Sequence, residues 1–156
     1  MSSATDRFVE AARLLGIRVE ARRFPEGTKT AEDAARAIGC HVGQIVKSLV
    51  FVADGRPVVA LTSGANRVDL SRLAASVGAA EVRRATPEEA RAATSFAVGG
   101  TPPFGYPQRL RTLIDQDLLA CDEVWAAAGT PDSVFPLVPA ELRRASGATP
   151  GDFKEC

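Results

Sequence analysis

Apolar positions along the chain follow two rhythms, and each predicts a set of elements. Phe8, Ala11, Ala12, Leu14 and Leu15 recur at helical spacing behind Ser3 or Thr5 as a cap, and Gly16 ends the run. The same rhythm predicts helices over 31–38, with Thr30 as cap, Asp33 three on and Gly39 as stop, and over 70–77, between Asp69 and Gly78. Thr86-Pro87-Glu88-Glu89 combines a threonine cap, a proline at the first helical position and a glutamate at the third, and starts a helix that ends near Thr94. A last helix is expected over 139–145. The second rhythm has period two. It predicts a strand with one exposed face over 19–24, followed by a turn at 25–28. Residues 45–52 are apolar on both parities and rich in β-branched side chains, which reads as a strand buried on both faces. Asp54-Gly55 is a hairpin turn and 57–62 its return strand. Shorter strands are expected over 81–83, 110–114, 123–128 and 133–138, with a turn or helical turn at 115–119 and turns at 63–66 and 129–132. Helices and strands interleave and hairpins are present. The prediction is an α+β fold, a mixed, mainly antiparallel sheet flanked by helices, in one domain over 1–156 without internal repeats or a dividing linker.

Composition changes this picture little. At 156 residues, 46% hydrophobic and 24% charged, the chain has the profile of an ordinary globular protein. The formal net charge is zero, which excludes a strongly basic nucleic-acid-coating protein but not a local arginine patch. No apolar run reaches the length of a membrane span, and the N-terminus lacks the order of a signal peptide, so no membrane association is expected. Cys40, Cys121 and Cys156 are odd in number and far apart. That spacing suits reduced thiols in the cytoplasm, and with His41 as the single histidine it gives no metal-ligand pattern.

Charge placement is more informative. Lys47 shares a strand face with Ile45, Leu49 and Phe51. An ammonium there costs several kcal/mol unless it is paired or reaches water. The chain has only three lysines against sixteen arginines, so a lysine inside its most apolar strand is the first functional candidate. The plain alternative is a side chain near the strand start that snorkels to solvent. The segment around Gly99-Gly100-Thr101-Pro102-Pro103-Phe104-Gly105 is too apolar for an idle surface loop and too broken for a regular element. Its glycines could aim backbone N–H groups at a developing oxyanion; the alternative is a structural turn. Ser63-Gly64 and Gly129-Thr130 lie where strands give way to loops, a place where binding residues and ordinary turns both occur. His41 is read as a surface or capping residue. The arginine pairs, Arg83-Arg84 among them, are solvated faces unless several converge to bind phosphates. No phosphate loop and no Gly-x-Ser-x-Gly elbow is present.

The segments 44–51, 54–55, 61–69, 99–105 and 128–131, in this order and spacing, resemble the YbaK family, the aminoacyl-tRNA editing domain also found inserted in bacterial prolyl-tRNA synthetases. The resemblance runs from about residue 19 onward. It implies a free-standing trans-editing deacylase that hydrolyses the ester of a tRNA charged with the wrong amino acid. Ala- or Cys-tRNA for proline would be the substrate. It implies further that Lys47 is essential and contacts the terminal nucleotide or aminoacyl group. Gly99 to Pro103 would line the aminoacyl pocket and supply backbone donors. No metal or other cofactor is implied. The attacking group would be water, or the thiol of a cysteinyl substrate, aided by the substrate's ribose hydroxyl. The partners implied are the acceptor end of tRNA and prolyl-tRNA synthetase. Many relatives carry a histidine where this chain has Asp132, a site that shapes the amino-acid pocket, so the amino acid stays open. A non-catalytic module that binds tRNA or a synthetase would carry the same residues.

Overall fold

The computed structural model describes residues 3–25, 28 and 30–156. Much of the turn expected at 25–28 therefore lies outside the described residues. The helices form where cap and stop agree. α1 (Ala4–Leu14) is closed by a capping box in which Ser3 and Asp6 bond each other's backbone N–H groups. α2 (Ala31–Ile38), α3 (Leu70–Val77) and α4 (Pro87–Thr94) begin at Thr30, Asp69 and Thr86, as the pattern predicted. A short α5 (Gln116–Leu119) and α6 (Pro139–Ser146) complete the set. In α1 the buried stripe is Phe8 and Ala12, continued by Ile17; Leu14, six residues from Phe8, falls off that stripe and is exposed, and Leu15 is partly exposed where the helix ends.

The strands are β1 (Arg22–Arg23), β2 (Ile45–Ala53), β3 (Arg56–Ser63), β4 (Val82–Arg84), β5 (Arg111–Asp115), β6 (Val124–Ala127), β7 (Ser133–Leu137) and β8 (Thr149–Gly151). They form one mixed sheet in the order β1-β7-β6-β2-β3-β5-β8, with β4 also paired to β2. β2 with β3, β2 with β4, β6 with β7 and β1 with β7 are antiparallel; β2 with β6, β3 with β5 and β5 with β8 are parallel. The β2–β3 hairpin turns on Asp54 and Gly55, both at positive φ (49° and 83°), as a tight two-residue turn demands. The strand expected over 19–24 shrinks to Arg22–Arg23, the only part that reaches β7. β8 was not foreseen: Thr-Pro-Gly carries no period-two signal.

β2 is buried on both faces. Val46 and Val50 enter the main core with Phe8, Phe104 and Phe135. On the opposite face Ile45 packs under α2 with Ala34, Ala35 and Trp125, and Phe51 under α3 with Leu73 and Phe153. Lys47 falls between those two helices, which is why a charge is tolerated there.

Candidate active site

β3 covers one edge of β2 from Val46 to Ala53. The other edge is shared. β6 pairs only at Ile45 and Val46, and β4 only at Phe51 to Ala53. Between them no strand among the described residues pairs with this edge, and the Ala85 N–H donates to the Val50 carbonyl at 3.1 Å. This split in the sheet opens a cavity of about 620 Å³, a volume suited to a small-molecule moiety. Its floor is Val46 to Val50 of β2. Its walls are the first turn of α2, the Arg84–Ala85 end of β4 with α4, the tip of the 98–101 loop, and the β6–β7 turn.

Lys47 is half-buried in this floor. Its ammonium donates to the Asn66 carbonyl at 2.6 Å, its one hydrogen bond among the described residues. Burial lowers its pKa below the ordinary value of 10.5; Glu32 opposes that shift, Arg84 and Arg67 add to it, and Asp115 opposes it more weakly. Arg84 and Arg67 form no ion pair among the described residues. Arg84 lies over the Phe51 ring at 5.8 Å. Among the described residues Ser48, next to Lys47, carries the one buried side-chain polar atom without a partner.

The glycine–proline loop is anchored rather than free. Thr101 to Phe104 are buried. Phe104 packs on Phe8 at 5.2 Å, and the Tyr106 hydroxyl, raised in pKa by burial, donates to the Pro102 carbonyl at 2.6 Å. Gly100 lies so close to the neighbouring turn that a Cβ would stand 2.7 Å from Thr130 Cα and 2.9 Å from the Gly129 carbonyl oxygen. Its own N–H donates to Ala97 O at 3.1 Å. The N–H groups of Gly99 and Thr101 have no acceptor among the described residues.

Of the residues singled out in sequence, Lys47, Gly64, Gly99 and Thr101 share the cavity wall. Lys47 makes no hydrogen bond to the glycine–proline loop. Ser63 lies behind the wall, its hydroxyl donating to Gly43 O at 3.0 Å. Gly100, Pro102, Pro103, Phe104 and Gly105 support the loop from behind. Gly129 packs on Ala4 at the start of α1. The Thr130 hydroxyl donates to Asp132 at 2.8 Å, and Asp132 pairs with Arg23 at 2.9 Å, which holds its carboxyl below the usual range. Their neighbours Pro131 and Ser133 reach the wall instead. His41 is exposed and lies off the cavity. Sequence reasoning missed Glu32, Ser48 and Trp125. Glu32 and Trp125 sit in ordinary element positions and give no local signal; Ser48 is recognisable only from its lack of a partner.

The model of the aminoacyl-tRNA editing domain matches residues 25–145. The chain belongs to this family. Across its full length it also superposes, with a TM-score of 0.94 and 44% identity, on 99% of the crystal structure of a protein proposed to be a trans-editing enzyme for prolyl-tRNA synthetase. The protein YwhH of Bacillus subtilis is 30% identical over 120 residues, 76% of each chain. Proline–tRNA ligase of Nitratidesulfovibrio vulgaris is 36% identical over 92 residues, 59% of this chain but only 16% of the ligase. The editing-domain fold of these neighbours is the α+β arrangement described above. No helix among the described residues is long and apolar enough to cross a membrane.

Proposed function

We propose that the chain, acting as one unit in the cytoplasm, is a trans-editing deacylase that hydrolyses mischarged tRNA for proline, with alanine or cysteine as the amino acid. The observation that carries this reading is the cavity at the split in the sheet, with Lys47 in its floor and the glycine–proline loop on its wall, in a chain of the editing-domain family. In the reaction, water attacks the ester carbonyl carbon and the bond to the ribose oxygen breaks, leaving a free amino acid and the tRNA hydroxyl. Lys47 keeps two of its three N–H donors for the substrate, since Asn66 takes one. It orients the terminal nucleotide or the aminoacyl group. The N–H groups of Gly99 and Thr101, without an acceptor among the described residues, serve as the donors to the oxyanion. Arg84 and Arg67, free of acidic partners among the described residues, are the cations for phosphates near the acceptor end.

The test is release of alanine from Ala-tRNA for proline by the parent chain and by Lys47→Ala. Release that is lost in the variant supports the proposal. Tight binding of that tRNA without release would instead make the chain a non-catalytic binding module.

A further inference from the structure

We propose that Asp115 and Asn66 are positioning residues for Lys47, the buried Asp115 carboxylate fixing the loop whose Asn66 carbonyl holds the lysine ammonium in the cavity. The inference rests on the deacylase reading above. Asp115 ends β5 and is 4% exposed, yet no cation pairs with it among the described residues. It is met by neutral donors instead. Its Oδ1 accepts the Asp117 N–H at 2.9 Å, an ordinary helix cap for α5. Its Oδ2 faces the other way and accepts the Ser63 N–H at 3.1 Å and the Asn66 side-chain amide at 2.8 Å. Ser63 ends β3 and Asn66 lies in the loop that leads on to α3, so capping alone does not explain this oxygen.

The Asn66 amide also reaches Asp117 at 2.8 Å, and Asp117 is held in turn by Lys154 at 2.8 Å. The loop is thus pinned at its side chain, leaving its carbonyl fixed 2.6 Å from the Lys47 ammonium. A neutral carbonyl anchors the lysine and leaves its charge in place, where a carboxylate would cancel it. The charged groups around Lys47 are Glu32 from α2, Arg84 from β4, Arg67 from the same loop and Asp115 itself.

The chain's three lysines make the test direct, because labelling lysine Cε with ¹³C gives three signals. In Asp115→Asn the Lys47 signal should titrate at lower pH than in the parent, as a nearby negative charge is gone. The kcat for Ala-tRNA hydrolysis should fall about 10- to 100-fold with KM nearly unchanged. Asn66→Ala cuts the same link while keeping the buried carboxylate and should lower kcat similarly while moving the Lys47 signal; it decides alone if Asp115→Asn fails to fold. Folded variants with parental kcat, or with an unmoved Lys47 signal, overturn the proposal. If the parent hydrolyses no aminoacyl-tRNA, the deacylase reading fails, and the Lys47 signal still decides the anchor.

Discussion

Lys47 is where chemistry and stability pull apart. Its burial lowers the folded-state pKa below the ordinary 10.5. Between those two values the unfolded chain binds more protons than the folded one, so stability should rise with pH across that window. Lys47→Met removes the group. Its thermal midpoint at neutral pH should equal or exceed the parent's, and that advantage should shrink as pH rises toward about 10.5 and level off above it. A variant less stable at neutral pH would make Lys47 a structural residue. Lys47→Ala should fold and lose about 10²–10³-fold in deacylation, the usual cost of one preorganised electrostatic contact. Lys47 stood out in sequence because a charge broke an apolar pattern, and it lines the cavity. Ser63 and Phe104, singled out from their loop segments, do not line the cavity: the Ser63 hydroxyl turns to Gly43 and the Phe104 ring to the core. Which way a side chain turns out of a loop depends on contacts far away in sequence.

At the scale of elements, caps and stops carried most of the information. Thr30, Asp69 and Thr86 began helices where the pattern put them, because each satisfies a backbone N–H that nothing else can reach. Thr86 also shares its box with Glu89, whose carboxyl is held at about 2 first by the Arg83 guanidinium. Thr86→Ala should cost about 1 kcal/mol of unfolding free energy, read by denaturant titration. Because α4 lines the cavity, a change in deacylation beyond the stability loss would tie the helix start to the site. What stayed hidden were long-range pairings. β8 has no periodic signal, and the parallel partners of β3 and β2 lie far along the chain. The contact of the glycine–proline loop with the β6–β7 turn was equally invisible. Gly100→Ala would drive a Cβ into Thr130 and should cost about 1–3 kcal/mol, with loss of deacylation as the cavity wall shifts. A variant with parental stability and activity would show that the two loops have room to part.

For the whole molecule, the decisive feature is that β4 and β6 share one edge of β2 without meeting. The sheet itself makes the cavity, and its rim carries the cation Arg84 although the chain has zero net charge. tRNA affinity should therefore be modest and salt-sensitive, the slope of log K against log salt changing by about 0.7–0.9 per phosphate contact. Arg84→Ala should flatten that slope by about one contact in a filter-binding series; an unchanged slope would remove Arg84 from the interface. Selectivity should reside in the cavity, where Gly99, Thr101 and the rigid prolines behind them leave room for a small aminoacyl group. The most direct measurement compares hydrolysis of alanyl-, cysteinyl-, seryl- and prolyl-tRNA, all on the tRNA for proline, under one condition. Alanyl or cysteinyl ester should be cleaved more than about 200-fold faster than prolyl ester, a larger gap than one methylene in a binding pocket commonly yields. Prolyl ester cleaved as fast as the small ones, or no ester cleaved at all, would contradict the reading of this cavity as an editing site.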